Sequence, residues 1–263
     1  MTMVEPIRKQ KTNNIINLSF VDGKLIKKPD IRYNKDGSID RRHSNRVTGI
    51  SSEVYPFVTQ EDIKKVINVF NKRIDEAESD TQRKIACRNK MLFLIGINLS
   101  LRISDLITLK WNFFLKDDMN FRGFYKIQPK KTKKFGKFVP LYFNDVVKRA
   151  ITQYIEQYPI EDMDDFLFKS RKGNGAITER GVWKIIVDVA EDAGIEYNVG
   201  THSLRKTFGY HIWHDAEDKE KALVMLMAIF NHSSVATTKR YIGIMNEEIE
   251  NVFNDLNLGI DLI

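Results

Sequence analysis

The sequence predicts a mainly α-helical domain with one small antiparallel β-sheet, an α+β arrangement, preceded by a short basic arm. Three observations lead there. From Thr59 onward, amphipathic stretches with helical spacing follow one another, most of them opened by a Ser, Thr, Asp or Asn that can cap a helix. A single stretch, residues 121–142, alternates apolar and polar side chains around a turn, as a hairpin does. Residues 1–58 are polar and rich in turn signals ("VDGK", "NKDG", "TGISS").

The elements follow in order. In the arm, "NIINLSF" and "LIKKPDIRY" have the alternation of a small hairpin, although the same composition suits an arm that orders only on a partner. "TQEDIKKVINVFNKRI" begins with a capping Thr59 and acidic residues, and Ile63, Val66, Ile67, Val69 and Phe70 fall on one helical face. Residues 83–99 read as a largely buried helix and Ile103–Lys110 as a short one. "GFYKIQ" and "GKFVPLYF" read as strands joined by a very basic turn. Helices are expected over Asp145–Tyr158, Thr178–Ala193, His202–Asp215, Lys219–Phe230, Ser234–Tyr241 and Glu247–Leu256. No internal repeat or low-complexity tract interrupts the series.

Composition narrows the function classes. The chain has 263 residues with 42% apolar side chains, enough for one large domain and a small appendage. The one cysteine, Cys87, rules out an intrachain disulfide and a thiolate metal cage, and suits a reducing cytoplasm. No apolar run approaches the roughly 20 residues of a spanning helix. The first residues lack a signal peptide's apolar stretch, so a cytoplasmic protein is expected. The net charge is +7, and residues 1–58, with eleven Lys/Arg against six Asp/Glu, carry +5 of it. Residues 121–140 hold seven basic residues and no acid. Two such patches point to a polyanion, nucleic acid first of all, though a solvated basic surface would look the same.

Six residues spaced from position 102 onward carry chemistry. Arg102 and Asp105 stand in "GINLSLRISDLITLKW", His202 and Arg205 in "THSLRKTFGYH", His232 in "IFNHSSVATTKRYIG", and Tyr241 nine positions later. Transfer of a phosphodiester to a tyrosine hydroxyl needs this set. Cationic donors must meet the charge that builds on the phosphate oxygens, and the planar arginine fork suits that best. A base must take the tyrosine proton and an acid must supply the departing oxygen. Asp105, three residues beyond Arg102, could orient that arginine or a neighbouring histidine. His202 and Arg205 share a face of the first turn of their helix, after a turn at Gly200 and a cap at Thr201, where an anion is favoured. Asn231 tolerates a left-handed backbone and would present His232 in a tight turn, with Ser233 or Ser234 capping the next helix. In the hairpin, Lys131 is the first candidate for the acid, with Lys130, Lys133 and Lys134 behind it. Singly, each feature is also what a surface ion pair, a capping histidine or a core tyrosine would give. Their joint order separates the readings.

Residues 59–263 resemble the catalytic domain of the tyrosine recombinases, the phage integrase family. "SLRISDLITLKW" is similar to the first-arginine box, "QPKKTKKFGKFVPL" to the hairpin with its lysine, "HSLRKTFG" to the His-x-x-Arg box and "NHSSVATTKRYIGI" to the last box. The resemblance implies Arg102, Lys131, His202, Arg205, His232 and Tyr241 as catalytic residues, with Tyr241 the nucleophile and Asp105 an acidic support behind them. It implies site-specific strand exchange through a 3′-phosphotyrosine, without metal or other cofactor. Double-stranded DNA is the implied partner, bound by a homo-tetramer, with an accessory DNA-bending or directionality protein as helper. Lys130, Lys133, Lys134 and Lys137 in the hairpin and Arg41, Arg42 and Arg46 in the arm are the DNA-contact candidates.

The sequence departs from the family in two places. Asn231 stands where a glycine is usual, and residues 1–58 are too few and too polar for the usual helical core-binding domain. The second departure leaves room for two other expectations, an accessory protein that binds DNA without cutting and a type IB topoisomerase. The last segment carries a stripe of Ile249, Val252, Phe253 and Leu256, suited to docking either on its own domain or on a neighbouring protomer.

Overall fold

A computed structural model of the chain describes residues 18–21, 24–27, 53–131, 136, 138–244, 252, 253 and 255. The chain divides into two units, Met1–Ser52 and Glu53–Ile263. In the first, β1 (Leu18–Val21) pairs antiparallel with β2 (Lys24–Lys27), with Val21 opposite Lys24. The two strands pair as a small hairpin does.

The second unit holds the helices. α1 (Gln60–Asp75) starts at Thr59, whose side chain accepts from the Asp62 N–H, and buries Val66 and Phe70. α2 (Asp80–Asn98) begins a turn earlier than the apolar pattern suggests, because Ser79 accepts from the Gln82 N–H and supplies the cap. The helix expected over Ile103–Lys110 stops at Leu106, and a second short helix starts beyond its expected end. α3 spans Ile103–Leu106 and α4 spans Trp111–Phe114. The break falls at Lys110, which is extended (φ −116°, ψ 159°) and bridges Phe166, so a tertiary pairing overrides the local periodicity.

β3 (Phe124–Ile127) and β4 (Val139–Tyr142) form the expected hairpin, in the register Phe124↔Tyr142 to Ile127↔Val139. Their alternation is two-faced: Ile127 and Leu141 are buried, whereas Phe124 and Tyr142 face solvent. Four further helices follow: α5 (Asp145–Gln157), α6 (Glu179–Asp192), α7 (Thr201–His214) and α8 (Lys219–Phe230). The last, α9, spans Val235–Ile242. Each lies within a residue or so of its expected position. The stripe of the last expected helix falls largely outside the described residues; of it, Val252 and Phe253 are exposed.

Two apolar clusters organise this unit. The larger, built around Phe57, Phe70, Phe93, Ile95, Phe114 and Phe168, includes Leu204 of α7. The smaller consists of Leu223, Leu226, Phe230, Ile242 and Ile244, with Phe208, Tyr210, Trp213, Val235 and Tyr241 packed against it. α7 thus runs between them. Two glycines let it do so. A Cβ on Gly96 of α2 would lie 2.7 Å from Leu204 Cδ1, and one on Gly209 of α7 would lie 2.6 Å from Ile242 Cγ2 and 2.7 Å from Phe230 Cζ. Close helix approach at both points depends on the missing side chain.

Candidate active site

The site forms where α7, the α8–α9 turn and the chain entering α3 converge. α7 begins at Thr201, and Gly200 is its cap, so the expected cap at Thr201 moves back by one. Gly200 is extended, and its N–H donates to Ser203 Oγ at 3.0 Å. His202 and Arg205 consequently lie in the first turns of the helix and on one face.

α8 ends at Asn231 in the left-handed conformation (φ 53°, ψ 52°). The Asn231 N–H donates to the Ala228 carbonyl and the His232 N–H to that of Met227, a Schellman closure. The turn expected from "NH" is thus formed without glycine. Ser234, rather than Ser233, caps α9 by accepting from the Thr237 N–H at 3.1 Å. Two turns later α9 presents Tyr241.

Tyr241 Oη lies 3.3 Å from His202 Nδ1. The Tyr241 ring packs edge-on against His232 and Phe230, with centroids 5.2 and 5.3 Å away. Burial pushes the Tyr241 hydroxyl above its usual range, against the opposing pull of the Arg205 and Arg102 charges. The hydroxyl is therefore protonated at neutral pH, and a base is needed to free it. His202 is held below the ordinary imidazole value, first by burial and then by the charges of Arg205, Lys206 and Arg102, with Glu179 opposing. His232 is lowered too, by burial and then by Arg205, Arg102 and Lys131. Both imidazoles are neutral near pH 7, which suits proton acceptance.

His232 is oriented by a residue that the sequence reading missed. Thr238, fully buried, donates its hydroxyl to the Ser234 carbonyl at 3.4 Å, which leaves its oxygen to accept from His232 Nδ1 at 3.1 Å. The proton is thereby assigned to Nδ1, and Nε2 is left as the other ring nitrogen for a ligand. A threonine six positions after a histidine carries no signal until α9 folds back over the turn.

Arg205 is buried at 5% exposure, donates through Nη2 to the Phe230 carbonyl at 3.1 Å, and stacks its guanidinium 4.6 Å above the Phe230 ring. Burial pulls it down to about 10, so it remains a cation at neutral pH. Arg102 caps α3 through its backbone. Its carbonyl accepts from the Asp105 and Leu106 N–H groups, and no side-chain cap bond ties its guanidinium there. Its charge acts on His202, Arg205, His232 and Tyr241 alike, so it stands within electrostatic reach of all four.

Asp105 has a different immediate partner from the one expected. Its buried carboxylate accepts the backbone N–H of Lys130 at 2.9 Å, and its charge favours the Arg205 cation. It thus fastens the end of the hairpin strand beside the site. Lys130 and Lys131 are exposed there, and Lys131 is the one whose charge reaches His232. Lys133, Lys134, Lys137, Arg41, Arg42 and Arg46 lie outside the described residues. Among the described residues, no group of three His, Cys, Asp or Glu side chains is placed to hold a metal ion, and no helix is long and apolar enough to cross a membrane.

A partly buried tyrosine hydroxyl stands beside a neutral imidazole, with two arginines and a second imidazole in electrostatic reach, an arrangement whose chemistry suits phosphoryl transfer. The phage integrase family model matches residues 56–248, and the chain belongs to that family. It is 37% identical over 159 residues to the "Probable integrase/recombinase YoeC" of Bacillus subtilis (strain 168), covering 60% of this chain and 78% of the relative. It is 30% identical over 179 residues to the "Tyrosine recombinase XerC" of a Staphylococcus epidermidis strain, covering 67% of this chain. The chain spans only 55% of that XerC's length. Among solved structures, the XerA recombinase superposes with a TM-score of 0.54 at 18% identity, covering 79% of this chain and 66% of that one. XerH bound to its difH substrate superposes with a TM-score of 0.52 at 20% identity, over 76% of this chain and 54% of that one. At that identity the likeness establishes the fold.

Proposed function

We propose that the protein is a site-specific DNA recombinase that cuts and rejoins strands through a 3′-phosphotyrosine at Tyr241. The observation that carries the reading is the 3.3 Å approach of Tyr241 Oη to His202 Nδ1 inside the field of Arg102 and Arg205. In the forward step His202 takes the Tyr241 proton while Oη attacks phosphorus. The bond from phosphorus to the 5′-oxygen breaks, and Lys131 protonates that oxygen. Arg102 and Arg205 meet the charge on the non-bridging oxygens, joined by His232 through Nε2–H in its imidazolium form, which the phosphate charge favours. Loss of one such donor typically slows a reaction roughly 10²–10³-fold. The phosphotyrosine keeps the energy of the broken diester, so a second 5′-hydroxyl can reverse the step on another strand.

Double-stranded DNA is the substrate, a homo-tetramer on DNA the working assembly, and an accessory DNA-bending or directionality protein its helper. The two solved relatives titled as bound to difH substrate support DNA as the partner. The basic residues of 1–58 and of the hairpin supply the electrostatic grip, so affinity falls steeply with salt.

The test is covalent trapping on nicked duplexes taken from the DNA flanking the gene, without added metal, read on a denaturing gel. A shifted band that disappears in Tyr241→Phe, with DNA binding retained, supports the reading. Recombination by Tyr241→Phe would sink it, and binding with no band from the unaltered protein would point to an accessory role.

A further inference from the structure

The segment that enters the second unit, residues 53–58, is tied both to α7 and to Asn198 just before it. The Tyr55 N–H donates to the Asn198 carbonyl at 2.9 Å, and Asn198 Nδ2 returns a bond to the Glu53 carbonyl at 2.8 Å. The Phe57 N–H donates to Thr207 Oγ1 at 2.8 Å, and His211 Nε2 donates to the Phe57 carbonyl at 2.9 Å. The Phe57 side chain is fully buried against Phe93. Between these ties stands an ion pair: Lys206 Nζ lies 3.1 Å from Glu53 Oε1.

Lys206 is only 6% exposed. Lysine is almost never buried to that degree unless it is paired, and an apolar residue would pack there with less desolvation. Its ammonium lies 5.8 Å from the centroid of the Tyr241 ring, a cation–π distance. The ring is also held by Phe230 and His232, and its hydroxyl by His202.

We propose that Lys206, held in place by Glu53, is a positioning residue for the Tyr241 nucleophile and its partner His202. The proposal rests on the recombinase reading above and adds a residue to it. Lys206 stands four residues after His202, one turn on along α7, so the two share a face of the helix, and α9 brings the Tyr241 ring to the ammonium. The Glu53 carboxylate orients the ammonium over the ring, and the ring is thereby kept at the angle that aims Oη at the phosphate. The positive charge also disfavours a proton on His202. The charged and titratable groups facing His202 are Arg205 and Lys206 on α7, Arg102 at the start of α3, Glu179 on α6 and Tyr241 on α9. Removing Lys206 takes away one of three cations that hold His202 neutral. His202 then gains its proton at a higher pH, and the acid limb of the cleavage profile moves up.

The experiment measures the rate of Tyr241 adduct formation against pH on a nicked duplex, with DNA affinity recorded alongside, for four proteins. The unaltered protein sets the profile. Lys206→Met keeps the stem and removes the charge. It is expected to slow attachment about 3- to 30-fold at neutral pH, to raise the acid limb, and to leave DNA affinity unchanged. Lys206→Arg is expected to restore the limb. Glu53→Gln is expected to slow attachment less, and the Lys206→Met/Glu53→Gln double variant to be no slower than Lys206→Met. A folded Lys206→Met with an unmoved acid limb overturns the proposal, because a merely structural lysine would alter stability alone. If Lys206→Met does not fold, Glu53→Gln decides: slower attachment with intact DNA binding supports the role, and an unchanged rate overturns it. No adduct from the unaltered protein would instead count against the recombinase reading.

Discussion

The large apolar cluster and the small one meet along α7, and they use the same kinds of side chain for different ends. The large cluster draws on the entering strap (residues 53–58), α1, α2, α4, the β3–β4 hairpin, α5 and α6, and its phenylalanines at 57, 70, 93, 114 and 168 are fully buried. It is a scaffold whose loss would be felt everywhere. The small cluster has five buried members from α8, α9 and Ile244, and its partly buried rim includes Tyr241 itself. It carries Tyr241, and its Phe230 ring also meets His232 and Arg205. Under the proposed mechanism, the tyrosine that must reach a phosphate and later let go of it sits on the smaller platform, and elements with fewer buried apolar contacts open most readily. The fixed cation Arg205, by contrast, belongs to the helix clamped between both clusters.

Substitutions can test that division, taken from the largest expected effect to the smallest. Arg205→Lys removes the planar fork from the clamped helix. Adduct formation should fall roughly 10²–10³-fold while thermal unfolding changes little, as rapid-quench and melting measurements would show. Phe93→Ala strikes the large cluster. It should destabilise the unit by about 3–5 kcal/mol in denaturant titration, with cleavage per folded molecule unchanged. If Phe93→Ala instead abolished cleavage in the cold with the fold intact, the two clusters would not be separate in function.

Gly209→Ala acts at the junction. The added methyl meets Ile242 and Phe230 at less than 3 Å, so α9 must shift outward, at a cost of about 1–3 kcal/mol. Cleavage should suffer more than stability here, the reverse of Phe93→Ala. Asn231→Ala should cost about 1 kcal/mol, since alanine resists the left-handed backbone, whereas Asn231→Gly should be neutral or slightly stabilising with His232 still presented.

The smallest effect is the pH dependence of stability. His202 and His232 have folded values below the unfolded one of about 6.5. The unfolded chain therefore binds more protons as pH falls through 6.5, and stability should decline below that point. Both imidazoles are partly solvated, so the slope should be shallow. In melts at pH 7.5 and 5.5, His202→Gln should flatten it.

What could be read from the sequence, and what could not, divides along a physical line. Thr59, Asn144, Thr178 and Ser234 cap helices as their local chemistry dictates. The left-handed turn at Asn231 was legible for the same reason, since it depends on one residue and its two neighbours. The convergence of Arg102, His202, Arg205, His232 and Tyr241 was legible from order and spacing as a set, though from no member singly. The break between α3 and α4 was not, because it follows from the bridge of Lys110 to Phe166, 56 positions away. The partner of Asp105 was misjudged for a similar reason. The nearest basic side chain in sequence is Arg102, but the carboxylate turns to a backbone N–H at the end of the hairpin.

By itself, then, the sequence determined the helices, the hairpin, the family and the residues that gather at the pocket, because each follows from short-range periodicity, capping and motif order. Only the tertiary structure decided how those residues are aimed. It joined Thr238 to His232, Asp105 to Lys130 and Glu53 to Lys206. Two of these three pairs bridge separate elements, and no local pattern encodes a contact that exists only after α7, α9 and the entering strap have packed together.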